Sequence, residues 1–312
     1  MTALVTGGGG FIGRWVVKAL LEEGREVTVL DDYSNGSPAN LADFADEPNL
    51  DVVEGSISDV HAVTRAFRRR PDLVLHLAAK INVQHSIDDP IGTYEPDVIG
   101  TLRVLEQSRE VGAPFLFMSS CMVYAAAGDE PIAESHPVRP ASPYAASKLA
   151  GEQLTISYGL AYSHPVTVVR PFNTYGPFQR ADGEGGVVAI FCERALEGRP
   201  IDIFGDGTQT RDLLYVRDCA EFVLRAARSE RARGELLNAG TGRDVSVIEL
   251  AEIVGGDDVD VRHVEHPHPQ AEIARLVCDH RKAERVLGWR PETPLEQGIA
   301  ETKEWLGARA AQ

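Results

Sequence analysis

Thr6-Gly7-Gly8-Gly9-Gly10-Phe11-Ile12-Gly13 lies between a short apolar run, Ala3–Thr6, and an amphipathic stretch, so it joins a strand to a helix. At such a junction Gly7 permits the tight turn, Gly10 lets a phosphate approach the main chain, and Gly13 lets the helix pack close to the strand. The helix start at Phe11 and Ile12 offers unpaired N–H donors to a negative group. Glycines alone also fit a plain flexible turn, but the second strand ends in Asp31-Asp32, about 20 residues past the loop. A carboxylate there accepts hydrogen bonds from a ribose and repels a 2′-phosphate. The pattern therefore predicts a bound dinucleotide, NAD in preference to NADP.

Apolar runs alternating with helical stretches continue through the first half, the pattern of parallel strands joined by helical crossovers. We read strands at Ala3–Thr6, Glu26–Asp31, Leu50–Glu54, Leu73–Leu77, Phe115–Ser119 and Val166–Arg170. The expected fold class is α/β, a Rossmann-type doubly wound parallel sheet carrying a smaller α/β substrate-binding lobe. Ser56-Ile57 after the third strand and Leu77-Ala78-Ala79 after the fourth fall where adenine and pyrophosphate would lie. His76 reads as a packed strand-end residue. Beyond Arg170-Pro171, Gly183-Glu184-Gly185-Gly186, Phe204-Gly205-Asp206-Gly207 and Pro267-His268-Pro269-Gln270 interrupt shorter elements. The boundary is placed there, with residues 1–170 binding the cofactor and 171–312 mainly the substrate. A helix at Val216–Arg228 is expected to return residues near 212–230 to the first domain.

A net charge of −16 on 312 residues argues against a broad basic face for nucleic acid or anionic lipid, while leaving room for a local basic pocket. Cys121, Cys192, Cys219 and Cys278 lack the paired spacing of a zinc site or disulfide framework, and no metal is expected. Scattered cysteines, no signal-like start and no run near the roughly 18 apolar residues of a membrane span lead to a cytoplasmic expectation.

Tyr144-Ala145-Ala146-Ser147-Lys148 opens a helix after Ser142-Pro143, and residues four apart share a helical face. A lysine charge beside a tyrosine, helped by an oxidised nicotinamide, is expected to lower the phenol from its reference near 10 and make it a general base. Ser120, after the fifth strand, can bond the same substrate oxygen. With the glycine loop, these residues resemble the extended short-chain dehydrogenase/reductase family, in particular its nucleotide-sugar epimerases and dehydratases. The resemblance runs on through Asp89-Pro90, Gly100-Thr101, Arg170-Pro171-Phe172-Asn173-Thr174-Tyr175-Gly176-Pro177, Gly205-Asp206-Gly207-Thr208-Gln209-Thr210-Arg211-Asp212 and Leu287-Gly288-Trp289-Arg290-Pro291.

That resemblance implies a UDP-sugar substrate bound by Lys80, Asn173, Val187, Val188, Phe204, Arg211 and Arg275. The two arginines would meet the diphosphate; surface ion pairing is the plainer reading of them. It also implies a homodimer formed by helices near Gly92–Glu110 and the one bearing Lys148. Asp97 stands where many relatives have asparagine, and Ser56 where many have aspartate.

The resemblance further implies that Tyr144 takes the proton of the carbon-4 hydroxyl as hydride passes to NAD. The residues after Ser120 then choose among outcomes. In 4,6-dehydratases they are aspartate and glutamate; here they are Cys121 and Met122. Met122 has no proton to exchange, whereas a thiol can titrate. The run Ser120-Cys121-Met122-Val123-Tyr124 is similar to that of sugar-nucleotide 5,6-dehydratases. Cys121 is then the expected acid/base of the elimination, and Met122 shapes the pocket or merely packs beneath the sugar. A 4-epimerase and a non-catalytic NAD-binding sensor are the alternatives.

Overall fold

The computed structural model describes residues 2–128, 130–181, 186–256, 260–265 and 274–310. The first half alternates as the apolar pattern requires. Its elements are β1 (Thr2–Thr6), α1 (Phe11–Glu22), β2 (Glu26–Asp31), β3 (Leu50–Glu54), α2 (Val60–Ala66), β4 (Leu73–His76), α3 (Val83–Asp88), α4 (Pro90–Tyr94), α5 (Thr101–Val111), β5 (Phe115–Met118), α6 (Pro143–Tyr162) and β6 (Val166–Pro171). A π-helical turn, Glu95–Gly100, joins α4 to α5.

The second half supplies β7 (Asn173–Tyr175), α7 (Val187–Leu196), β8 (Ile201–Phe204), β9 (Thr210–Arg211), β10 (Leu213–Tyr215), α8 (Val216–Arg228) and β11 (Leu236–Ala239). It continues through β12 (Val245–Ser246), α9 (Val247–Gly255), β13 (Val261–Val264), β14 (Arg275–Leu276), α10 (Arg281–Leu287) and α11 (Leu295–Ala310).

Seven parallel strands form the central sheet in the order β11-β6-β5-β4-β1-β2-β3. β1, β4, β5 and β6 are near-continuous apolar runs because helices cover both faces. One core layer includes Val5, Val16, Val17, Leu20 and Val29, and the other Leu4, Leu30, Val74, Leu105 and Phe117. From β1 the chain runs outward to β2 and β3, then restarts at β4 and runs the other way. The order therefore reverses between β1 and β4, and the crevice beyond their carboxyl ends is where such sheets hold a ligand.

Two expectations need correction. β4 and β5 each end one residue early, since Leu77 and Ser119 make a last bond to Thr6 and Val169 and then leave the sheet. The second half also returns more than residues near 212–230. α8 packs against α1 and β6, and β11 pairs with β6 as the seventh strand, an edge hidden in a short run, Leu236-Leu237-Asn238-Ala239, that lacks a helix of its own before the lobe resumes. The lobe itself rests on small sheets, β7 with β10, β9 with β12 and β14, and β8 with β13. Pro267-His268-Pro269-Gln270 and Gly183-Glu184-Gly185 lie outside the described residues.

Candidate active site

The glycine loop and the segment after β4 meet at the reversal point. Gly7 has φ +73°, and a Cβ there would stand 2.7 Å from the Ala78 nitrogen. A Cβ on Gly13 would stand 2.0 Å from the Gly7 carbonyl oxygen, so the helix sits as close to the turn as only glycine allows. No side chain caps α1, whose N-cap is Gly10, and the first-turn N–H groups at Phe11, Ile12 and Gly13 face the crevice end. Asp31 is buried and accepts from the main-chain N–H of Gly9 and of Tyr33, both at 2.8 Å. Burial holds its carboxyl above the ordinary aspartate value against those bonds. Asp32 is exposed and accepts from the Ser34 N–H, so of the acidic pair Asp31 is the one built into the loop. Ser56 accepts from Ser58 N–H, and Ile57 is buried against Gly100. This uncapped, carboxylate-flanked cradle fits a dinucleotide.

α6 begins where a cap and a proline direct it. Ser142 accepts from the Ala145 N–H and Pro143 occupies the first helical position. Tyr144 falls in the first turn, its N–H donating to Ser86 Oγ at 3.1 Å. Ser120 caps a short 3-10 turn, Cys121–Val123, by accepting from Met122 N–H, and its hydroxyl favours the ionised form of the Tyr144 phenol. Ser120, Tyr144 and Lys148 are thus brought together, with Cys121 and Met122 beside them.

Desolvation dominates the electrostatics of the site. Burial pushes the Tyr144 phenol up, with Asp97 acting in the same sense and Ser120 against it. Lys148 is itself only 4% exposed, its ammonium lies over the Phe117 ring at 4.8 Å, and burial holds it below the usual lysine value against the pull of Asp97 and Glu152. Burial likewise pushes the Cys121 thiol up to about 12. Cys121 packs with Tyr124, Phe172, Leu276 and Cys278, with Met122 partly buried against them.

His76 is indeed a packed residue: its ring joins Thr6 Oγ1 at 2.7 Å to Thr101 Oγ1 at 2.9 Å, and burial lowers it to about 3, so it stays neutral. Glu152 was missed. It pairs with Arg170 through bonds of 2.7 and 2.6 Å, with side-chain exposures of 0% and 4%. The signal lay in the four-residue spacing Tyr144, Lys148, Glu152, which puts all three along one helical face. Asp212 was missed as well; fully buried, it accepts from Thr241, Gly242 and Cys278 N–H and so ties β9 and β10 to the loop after β11.

In the second lobe, β9 and β14 run side by side and place Arg275 beside Thr210 and Arg211. Arg275 pairs with Asp244 at 2.9 Å, the ion pairing that was its plainer reading, and Arg211 donates to the Thr210 carbonyl. Asn173 Oδ1 is buried with no hydrogen-bond partner, an acceptor left open at the start of β7. Phe204 is 45% exposed at the end of β8. Val187 is half-buried, and Val188, at the second position of α7, is buried in the core of the lobe. Lys80 donates its N–H to Asp97 at 2.8 Å.

The profile of the NAD dependent epimerase/dehydratase family matches residues 3–240. A UDP-glucose 4-epimerase of Mycolicibacterium smegmatis is 38% identical, over 98% of this chain and 98% of that one. The solved Pal protein of Bacillus thuringiensis superposes with a TM-score of 0.97 at 51% identity, covering 99% of this chain and 100% of its own. The dTDP-glucose 4,6-dehydratase of Streptomyces venezuelae, solved with NAD bound, superposes at 0.92 with 31% identity, covering 100% and 98%.

Proposed function

This chain belongs to the NAD-dependent epimerase/dehydratase family, enzymes that use NAD on nucleotide-linked sugars, and we propose that within it the protein is a UDP-N-acetylglucosamine 5,6-dehydratase. The observation that carries this reading is the turn Ser120-Cys121-Met122, where a buried thiol and a thioether stand beside Tyr144 and two carboxylates do not. The same run resembles the 5,6-dehydratase of tunicamycin biosynthesis, which would give the product a place in nucleoside antibiotic assembly.

Ser120 and Tyr144 hold the carbon-4 hydroxyl, and Tyr144 takes its proton. NAD, held by the glycine loop and Asp31, would supply the acceptor for the hydride of that carbon and the hydride that comes back to it. The resulting ketone acidifies the carbon-5 hydrogen. Cys121, kept protonated by burial, donates to the departing carbon-6 hydroxyl and recovers the carbon-5 proton, so water leaves with no net change at sulfur. Tyr144 then returns its proton to oxygen 4. Asp31 orients the adenosine ribose; Arg211, Arg275 and Asn173 receive the diphosphate, with Phe204 and Val187 beside the base.

A UDP-sugar 4-epimerase is the second reading, favoured by relatives that carry that activity. It needs the ketosugar to turn over, and the bulk of Met122 beside Ser120 opposes that. Incubation with UDP-N-acetylglucosamine and NAD separates the two: vinyl proton signals and loss of one water support the dehydratase, and a galacto product without water loss rejects it. Exposed Ile91, Ile99 and Leu160, on α4, the π turn and α6, support a homodimer through these helices.

A further inference from the structure

Asp97 is a carboxylate in an unusual position. It sits in the π-helical turn between α4 and α5, is 2% exposed, and has both oxygens occupied. Oδ1 accepts the Lys80 N–H at 2.8 Å, and Oδ2 lies 2.7 Å from Ser147 Oγ. The turn is pinned to the sheet, since the Asp97 carbonyl accepts from Thr101 Oγ1 at 2.6 Å and Thr101 reaches Thr6 through the His76 ring. π turns inside helices are frequent at functional sites, and this one brings Asp97 against Ser147 of the catalytic helix.

Ser147 Oγ also lies 2.8 Å from the Tyr144 carbonyl. A hydroxyl has one proton, so it cannot donate to both acceptors at once. When Asp97 carries a proton both contacts are served, Asp97 donating to Ser147 and Ser147 to the Tyr144 carbonyl. When Asp97 is ionised, Ser147 turns its proton to the carboxylate. The network accommodates either state of Asp97 without moving a heavy atom.

The charged groups acting on Asp97 are Lys148 from α6 and Lys80 from the segment after β4. α4 contributes Tyr94, which is 37% exposed; on α5, Arg103 is bonded to the Ser58 carbonyl, and Glu106 and Arg109 pair with each other. His76 stays neutral. Lys148 thus has two claims on its charge, that of Asp97 and that of the Tyr144 phenolate when it forms, four residues away on the same helical face.

We infer that Asp97 is a positioning residue that shares the Lys148 charge with Tyr144 and, by gaining or losing its proton through Ser147, sets the pH range in which Tyr144 works as a base. This rests on the reading of Tyr144 as the base. Removing the carboxylate frees Lys148 for the phenolate and removes a negative charge that opposes ionisation of Tyr144. Burial, which favours the protonated carboxyl, works in the same sense.

The test is a titration of tyrosinate absorbance on the NAD-saturated protein, taken as the difference from Tyr144→Phe in the same background. Asp97→Asn keeps the shape and the acceptor for the Lys80 N–H. It is expected to move the Tyr144 ionisation down by about one pH unit, a roughly tenfold change in tyrosinate below the midpoint. The rising limb of turnover moves the same way. Ser147→Ala, which withdraws a bond from the carboxylate, is expected to shift it downward by less. Superimposable titrations in parent and Asp97→Asn overturn the inference; if that variant does not fold, an unshifted or upward-shifted Ser147→Ala does so. Absence of any Tyr144 component in the parent instead overturns the assignment of the base itself.

Discussion

Replacing Glu152 by Gln isolates the buried pair under the site. The guanidinium of Arg170 is held by two charge-assisted bonds of 2.7 and 2.6 Å, lies over the Tyr124 ring at 4.5 Å, and already has one terminal nitrogen, Nη1, without a partner. Hydrogen bonds to charged groups contribute about 1.5–3 kcal/mol each. Removing one member of a buried pair, which leaves the other charge uncompensated, costs about 3–5 kcal/mol. Both routes converge near 4 kcal/mol. With an unfolding entropy of roughly 2.1 cal/mol/K per residue over 312 residues, that is a fall in Tm of about 6 °C. Urea denaturation should show the same loss as a lower midpoint at unchanged slope. The double replacement Glu152→Leu with Arg170→Met should recover most of it, because no lone charge stays buried. A loss below about 1 kcal/mol for Glu152→Gln, or a double variant worse than the single, refutes the reasoning.

Gly13→Ala should reduce NAD affinity at least about tenfold by calorimetry, since a Cβ 2.0 Å from the Gly7 oxygen pushes α1 off the turn that would hold the pyrophosphate. His76 gives an acid-sensitive term. Its folded value is lowered to about 3, so its contribution is complete above the unfolded value near 6.5 and is lost as pH falls toward 3. Between pH 7 and 4.5 urea midpoints should register up to about 3 kcal/mol of loss from this group, and His76→Leu should lose less over that interval. Cys121→Ala should abolish water loss while leaving exchange of a carbon-4 deuterium with the cofactor; a variant that still dehydrates removes the thiol from the mechanism.

The sheet was legible because burial on both faces demands near-continuous apolar runs, and β1, β4, β5 and β6 show them. β11 was not, because its four residues carry no more local signal than a loop and acquire a role only by pairing with β6. The glycine loop, Asp31 and the Tyr144–Lys148 pair were readable for a local reason: a tight turn and a four-residue helical spacing fix geometry within one segment. The burial of Val188 was not legible, because chain proximity to a loop does not say which way a helix faces.

Local sequence determined which residues could do chemistry here: a phenol, an ammonium, a hydroxyl and a thiol in place of a carboxylate pair. Tertiary structure decided their charge. The protonation of Tyr144, Lys148 and Cys121 depends on desolvation and on Asp97 and Glu152, and Asp97 reaches the site from a segment about fifty residues away. Desolvation is a property of the whole packed surroundings, and no short stretch of sequence contains it.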